Sequence, residues 1–208
     1  MALVAEVVAL PTFELIAAAA TPIIAVGVAL QAAGVVVTAL SFYKLCKQSK
    51  KVRVILGNNK TERTLEQYRR GVEYLTRERT TKKERFKEAF FGVLQKGHKE
   101  KLKKLYERVA EGSLPVSRLK TAFDDVQYYV RNKKAQHLLS IALLITAIAG
   151  LTLLFLTPLC PIVLFPLGWA MVGVSCVGGL LLTAFSVYNN IALNRFFKSH
   201  LRGPESPN

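Results

Sequence analysis

The chain has 208 residues, 51% of them hydrophobic, and a formal net charge of +15 from 29 Lys+Arg against 14 Asp+Glu. The apolar residues are gathered in long blocks rather than spaced along amphipathic elements, which excludes an ordinary water-soluble globule. The charge is as unevenly placed, since residues 44–137 hold 26 of the basic and 11 of the acidic residues.

Residues 1–14 form a short N-terminal segment whose only charges are Glu6 and Glu14. A secretory signal needs a basic start before its apolar stretch, so cleavage after the alanines at 17–20 is not expected. The uncharged run 15–43 predicts a first transmembrane span, its helix occupying about 21–43 with Pro22 in the first turn, where no intrahelical donor is lost. A helix lying on the membrane or buried in protein is the alternative, because Pro22, Gly27, Gly34 and many alanines weaken the run. Gln31 sits mid-span and is a candidate for an interhelical hydrogen bond. Lys44, Lys47, Lys50, Lys51 and Arg53 follow at once, dense enough to draw anionic headgroups at about 1 kcal/mol per charge near a surface. Among them Cys46 occupies a position open to S-palmitoylation, or stays an unmodified thiol. Val52-Arg53-Val54-Ile55-Leu56 reads as extended, ended by a turn at Gly57-Asn58-Asn59.

From Asn59 the periodicity becomes helical. Asn59 and Glu62 have capping-box spacing ahead of Leu65, Tyr68, Val72 and Leu75, which recur at three- and four-residue steps. Thr81 with Glu84 opens a second helix carrying Phe86, Ala89, Phe90, Val93 and Leu94 up to Gly97. A third, with Leu102, Leu105 and Val109, ends at Gly112. After Pro115 the face Leu119, Ala122, Phe123, Val126, Tyr129 and Val130 runs through Arg131, Lys133 and Lys134 into the next apolar block, predicting one helix of about 40 residues. Residues 44–137 are thus expected to form a basic helical domain, an intramolecular bundle rather than a coiled coil, whose heptads would have to be longer sustained.

The 57 residues from Leu138 to Asn194 contain no Asp, Glu, Lys, Arg or His, and Pro158, Pro161 and Pro166 interrupt them. Since one span needs roughly 20 apolar residues, 138–194 predicts a transmembrane hairpin with spans at about 138–157 and 167–188. Small residues recur every fourth position at Ala25, Ala29 and Ala33, at Ala142, Thr146 and Gly150, and at Ser175, Gly179 and Thr183. Such stripes let helix backbones approach closely in lipid. The tail 195–208 carries Arg195, Lys198 and Arg202. Lys and Arg near spans are retained in the cytosol, so the N-terminus is expected outside or in a lumen and the C-terminus in the cytosol. The fold class expected is an all-α integral membrane protein with one N-terminal span, a cytoplasmic basic helical bundle and a C-terminal two-span hairpin.

The hairpin, from Leu139-Ser140-Ile141-Ala142-Leu143-Leu144 through Thr157-Pro158-Leu159-Cys160-Pro161 to Gly178-Gly179-Leu180-Leu181-Leu182, resembles the bilobed hydrophobic domain of chlamydial inclusion membrane (Inc) proteins. The resemblance is architectural and covers about a quarter of the chain. It implies a secreted bacterial effector whose hairpin sits in the pathogen's vacuole (inclusion) membrane and whose helical segments face host cytosol. The apolar run at 15–43 and the basic middle are additions to that pattern.

No catalytic constellation emerges. Lys60-Thr61 after Gly57-Asn58-Asn59 lacks the glycines, at Val54 and Asn59, with which a phosphate loop cradles its ligand. His98, His137 and His200 are isolated, Asp124-Asp125 is a single acidic pair, and no metal-ligand spacing occurs. No enzyme activity, metal or cofactor is therefore expected. Cys46, Cys160 and Cys176 fall at three depths, which implies no disulfide framework. Asn59-Lys60-Thr61 is a glycosylation sequon on the side where glycosylation does not occur. The function expected is non-enzymatic: the basic domain binds anionic lipid headgroups or an acidic protein surface through Lys44, Lys47, Lys50, Lys51, Arg53, Arg131, Lys133 and Lys134. The alternatives are a membrane-shaping hairpin, a pore built as a homo-oligomer, and nucleic-acid binding, the last opposed by Glu62, Glu66, Glu73, Glu84 and Glu88 interleaved among the cations.

Overall fold

A computed structural model describes residues 2–57, 63–77 and 92–201, and among them all regular structure is helical. The helices are α1 (Ala2–Leu56), α2 (Leu65–Thr76), α3 (Lys96–Ala110), α4 (Val116–Phe155) and α5 (Pro161–Leu201), with a 3-10 turn at Thr157–Leu159. Three of them, over Pro22–Leu56, Val116–Phe155 and Ile162–Leu201, are long and apolar enough to cross a membrane.

Local chemistry accounts for the helix ends. Val52-Arg53-Val54-Ile55-Leu56 is not extended as its β-branched content suggests but forms the last turns of α1, with Val52 and Leu56 buried four residues apart. Burial on one helical face outweighs propensity differences of under about 1 kcal/mol per residue. Gly57 then closes the helix at φ +72, donating to the Val54 carbonyl. The capping box of α2 is Thr64 with Gln67: Gln67 N donates to Thr64 Oγ1 at 3.3 Å and Thr64 N to Gln67 Oε1 at 3.0 Å. The expected box at Asn59 and Glu62 lies outside the described residues, as do the sequon, Thr81, Glu84 and the face Phe86–Phe90. Val93 and Leu94, expected at the end of a helix, are buried in a bend, and Gly97 lies inside α3 rather than ending a helix before it. Gly112, at φ +77, follows α3 as expected, and α4 is a single helix of 40 residues. The turn after it is shorter than the three prolines suggested. Pro158 lies in the 3-10 turn, Pro161 is the first residue of α5, and Pro166 is inside that helix.

The chain divides into two compact units, Met1–Ala39 with Leu139–Leu182, and Leu40–Leu138 with Thr183–Asn208. In the first, α4 packs against both of the other long helices. A Cβ at Gly27 would stand 3.3 Å from Leu151, and one at Gly34 would stand 3.4 Å from Leu144. The hairpin arms meet backbone to backbone, because a Cβ at Gly150 would stand 2.9 Å from the Gly168 carbonyl oxygen and one at Gly168 2.9 Å from that of Gly150. Leu143 fills the space a side chain at Gly178 would need. The small-residue stripes are corrected accordingly. Ala25, Ala29, Ala33 and Ala142 are exposed, Gly178 rather than Gly179 meets the other arm, and Thr183 belongs to the second unit. Gly150 lies where the two arms approach, while Thr146 and Ser175 turn their hydroxyls back to the Ala142 and Met171 carbonyls of their own helices.

The core of the second unit joins all five helices. Leu45, Val52 and Leu56 of α1 pack with Tyr68, Val72 and Leu75 of α2, with Leu102, Leu105 and Val109 of α3, and with Leu119, Ala122, Phe123, Val126, Tyr129 and Val130 of α4. Tyr68 and Phe123 rings stand 5.3 Å apart beside Gly71, where a Cβ would come within 3.1 Å of Phe123 and Leu56. Leu193 and Phe197 of α5 complete the core, so it reaches beyond 44–137 into residues read as the end of the hairpin and the tail. Arg118 holds the His200 carbonyl at 3.1 Å and Arg108 donates to the Leu201 carbonyl.

Candidate functional site

The basic residues of α1 leave the core at successive turns. Lys47, Lys50, Lys51 and Arg53 are exposed, and Lys44 is half-buried. On α4, Arg131 is exposed with its guanidinium 5.9 Å from the Tyr128 ring centre, a cation–π distance that orients it. Lys133, three residues or fewer from both of its basic neighbours, has a different role: its Nζ donates to the Gly92 carbonyl at 2.9 Å and stands 6.0 Å from the Tyr129 ring, and burial pushes its pKa down. It is a packing cation rather than a surface one. Lys134 is half-buried.

The fold brings Arg53 into one cleft with Arg131 and Lys134, although 78 residues separate Arg53 from Arg131. The cleft has a volume of about 330 Å³; Val52, Leu75, Val93, Val126 and Val130 line it with Ser49, Asp124, Gln127 and Tyr128. Among the described residues no carboxylate forms an ion pair with Arg53, Arg131 or Lys134. On α2 and α3 three cations are matched locally. Arg69 and Arg70 both bond Glu66, at 2.7 and 3.1 Å, and hold its carboxyl down to about 2, while Lys103 lies 3.9 Å from Glu107.

A second polar group was not anticipated from the pattern of residues. His98 of α3 is 1% exposed, between the rings of Tyr129 and Phe197 at 6.1 Å each. Burial lowers its pKa, helped by Lys101 and Lys133 and opposed by the Asn190 backbone. Tyr129 donates to Asn190 Oδ1 at 2.8 Å and Lys101 to Asn194 Oδ1 at 2.6 Å. The available signal was Asn189, Asn190 and Asn194, three amides inside a run otherwise read as membrane. Cys46 is half-buried; Cys160 and Cys176 are exposed, and all three thiols are free. Among the described residues no three His, Cys, Asp or Glu side chains gather as metal ligands.

Among the described residues the fold is thus all-helical, with three helices long and apolar enough to cross a membrane and a basic cleft in the second unit. No family model, curated protein or solved structure matches it.

Proposed function

We propose that the chain is a non-enzymatic integral membrane protein whose basic unit lies on the cytosolic side and binds anionic lipid. The observation that carries this reading is the convergence of Arg53, Arg131 and Lys134 on one cleft, beside a row of exposed lysines on α1. Each of these cations lies within a few helical turns of an uncharged run on its own helix, where the positive-inside rule retains Lys and Arg. An anionic leaflet attracts such clusters by about 1 kcal/mol per charge. If the likeness of the hairpin to inclusion membrane proteins extends to function, the membrane is that of a pathogen vacuole and the basic unit faces host cytosol.

The test is lipid retention. Full-length protein extracted in mild detergent should carry phosphatidylserine or phosphatidylinositol in excess of their share of the membrane, and Lys47→Gln with Lys50→Gln and Lys51→Gln should reduce that excess severalfold. Retention matching bulk lipid composition would remove the proposal.

A further inference from the structure

We infer that the cleft between Arg53 of α1 and Arg131 and Lys134 of α4 binds the phosphate-monoester headgroup of a single membrane lipid. The inference rests on the anionic-lipid reading above and narrows it from a charged surface to a pocket.

Charge decides the ligand class. Three cations and one carboxylate, Asp124, line the cleft, which leaves two positive charges in excess. A phosphodiester headgroup brings one negative charge on its phosphate, whereas a phosphate monoester carries about −1.5 to −2 near neutral pH and matches the excess. Two of the cations are guanidiniums, whose forked donors fit phosphate oxygens in pairs, and Tyr128 holds one of them in place.

Shape and position favour a lipid source. Val52, Val126 and Val130 give the cleft an apolar wall that free phosphate would leave bare and that a glycerol ester with the start of its acyl chains would cover. A cavity of about 330 Å³ is of headgroup size, at the small end of ligand pockets and too small for a folded partner. Lys134 precedes Leu138, the first residue of the 57-residue uncharged run, by four positions in one continuous helix. At 1.5 Å per residue that is about 6 Å along the axis, within reach of a headgroup.

Full-length protein in maltoside micelles would be titrated with short-chain fluorescent phosphatidic acid, phosphatidylserine and phosphatidylcholine. Phosphatidic acid is expected to bind at least about tenfold more tightly than either of the others. Arg131→Gln with Lys134→Gln should abolish that preference, and so should Ser49→Trp, which leaves every charge in place and fills the cleft. Lys104→Gln, an exposed change on α3 away from the cleft and from the α1 lysines, should shift it by less than about twofold. Circular dichroism checks that each variant keeps its helices, and Arg53→Gln, a single exposed change, replaces any that does not. Equal binding of phosphatidic acid and phosphatidylserine would overturn the cleft and leave the surface reading standing. No anionic-lipid binding at all would remove both. Unchanged preference in Ser49→Trp, or displacement by inorganic phosphate at the lipid's own concentration, would also overturn the proposal, the last by making the site one for a free anion.

Discussion

Tyr129 of α4 donates its phenolic hydrogen to the side-chain oxygen of Asn190 on α5 at 2.8 Å, while the Asn190 amide nitrogen donates to the Ser186 carbonyl. Both ends of the asparagine are thereby satisfied in a part of the chain where a stranded amide would be costly. Tyr129→Phe removes the donor and leaves the Asn190 oxygen bare, so it should lower stability by about 1–2 kcal/mol. Thermal unfolding of the purified protein in detergent measures this. Tyr129→Phe combined with Asn190→Leu should cost less than the two single changes added together, because no buried group is then left unpaired. Strict additivity would mean the pair is not coupled.

Phe197 is fully buried in the core, its ring beside that of His98 on α3. Phe197→Ala should therefore destabilise by about 3–5 kcal/mol, the range for truncating a core phenylalanine. Lys198→Ala, exposed one residue further on, should be neutral within about 0.5 kcal/mol. If both were neutral in the same melting experiment, the end of α5 would not be part of the core.

The glycines of the hairpin separate in the same way. Gly150→Ala would press its methyl against the Gly168 carbonyl at 2.9 Å and should lower the melting temperature. Gly173→Ala meets nothing within 4 Å and should hold or raise it, since alanine is favoured over glycine in helices by about 1 kcal/mol. The opposite ranking would remove the close contact between the arms.

The buried His98 makes stability depend on pH. Its folded-state pKa lies below the ordinary 6.5, first through burial and then through Lys101. The unfolded chain therefore binds the proton more readily, and the stability is fully present above about pH 6.5 and is lost as pH falls toward the folded value. Burial lowers His137 likewise, whereas Asp125 is shifted upward and acts in the other direction only nearer the carboxylate range. Unfolding followed from pH 7.5 to 5.5 should show falling stability. His98→Phe with His137→Gln should flatten that slope, and an unchanged slope would assign it elsewhere.

Orientation is checked by Cys160, exposed beside the hairpin turn. In sealed vesicles a membrane-impermeant maleimide is expected to label it only from the side opposite the basic unit, and protease added on the cytosolic side should cut within 44–137. A glycosylated Asn59 in a eukaryotic secretory system would reverse the orientation.

Much of the helical pattern was legible because it depends on local periodicity. The buried face Leu119, Ala122, Phe123, Val126, Tyr129 and Val130 and the continuation of that helix to Phe155 follow from spacing alone. Three features did not. Thr64 with Gln67, the box that caps α2, was not singled out, because residue spacing alone does not show where the backbone leaves the helix. Ala25, Ala29 and Ala33 make as good a stripe as the Gly27 and Gly34 pair that actually meets α4, since both repeat near a whole number of turns. The meeting of Arg53 with Arg131 and Lys134 is a tertiary event that neither cluster encodes by itself. The role of Leu193 and Phe197 was within reach, because with Leu201 they recur every fourth position from the end of the uncharged run into the basic stretch after Asn194.

That the core of the basic unit is closed by Leu193 and Phe197 sets an order on its biogenesis. These two side chains leave the ribosome only after the whole hairpin has been made, so the segment 44–137, though synthesised long before, waits with an open apolar seam until both arms have been handled. Chains emerge at about 5–20 residues per second, and seams left open for that time are the usual targets of chaperones. A block in hairpin insertion would thus surface first as aggregation or degradation of the basic unit, in residues outside the uncharged run itself.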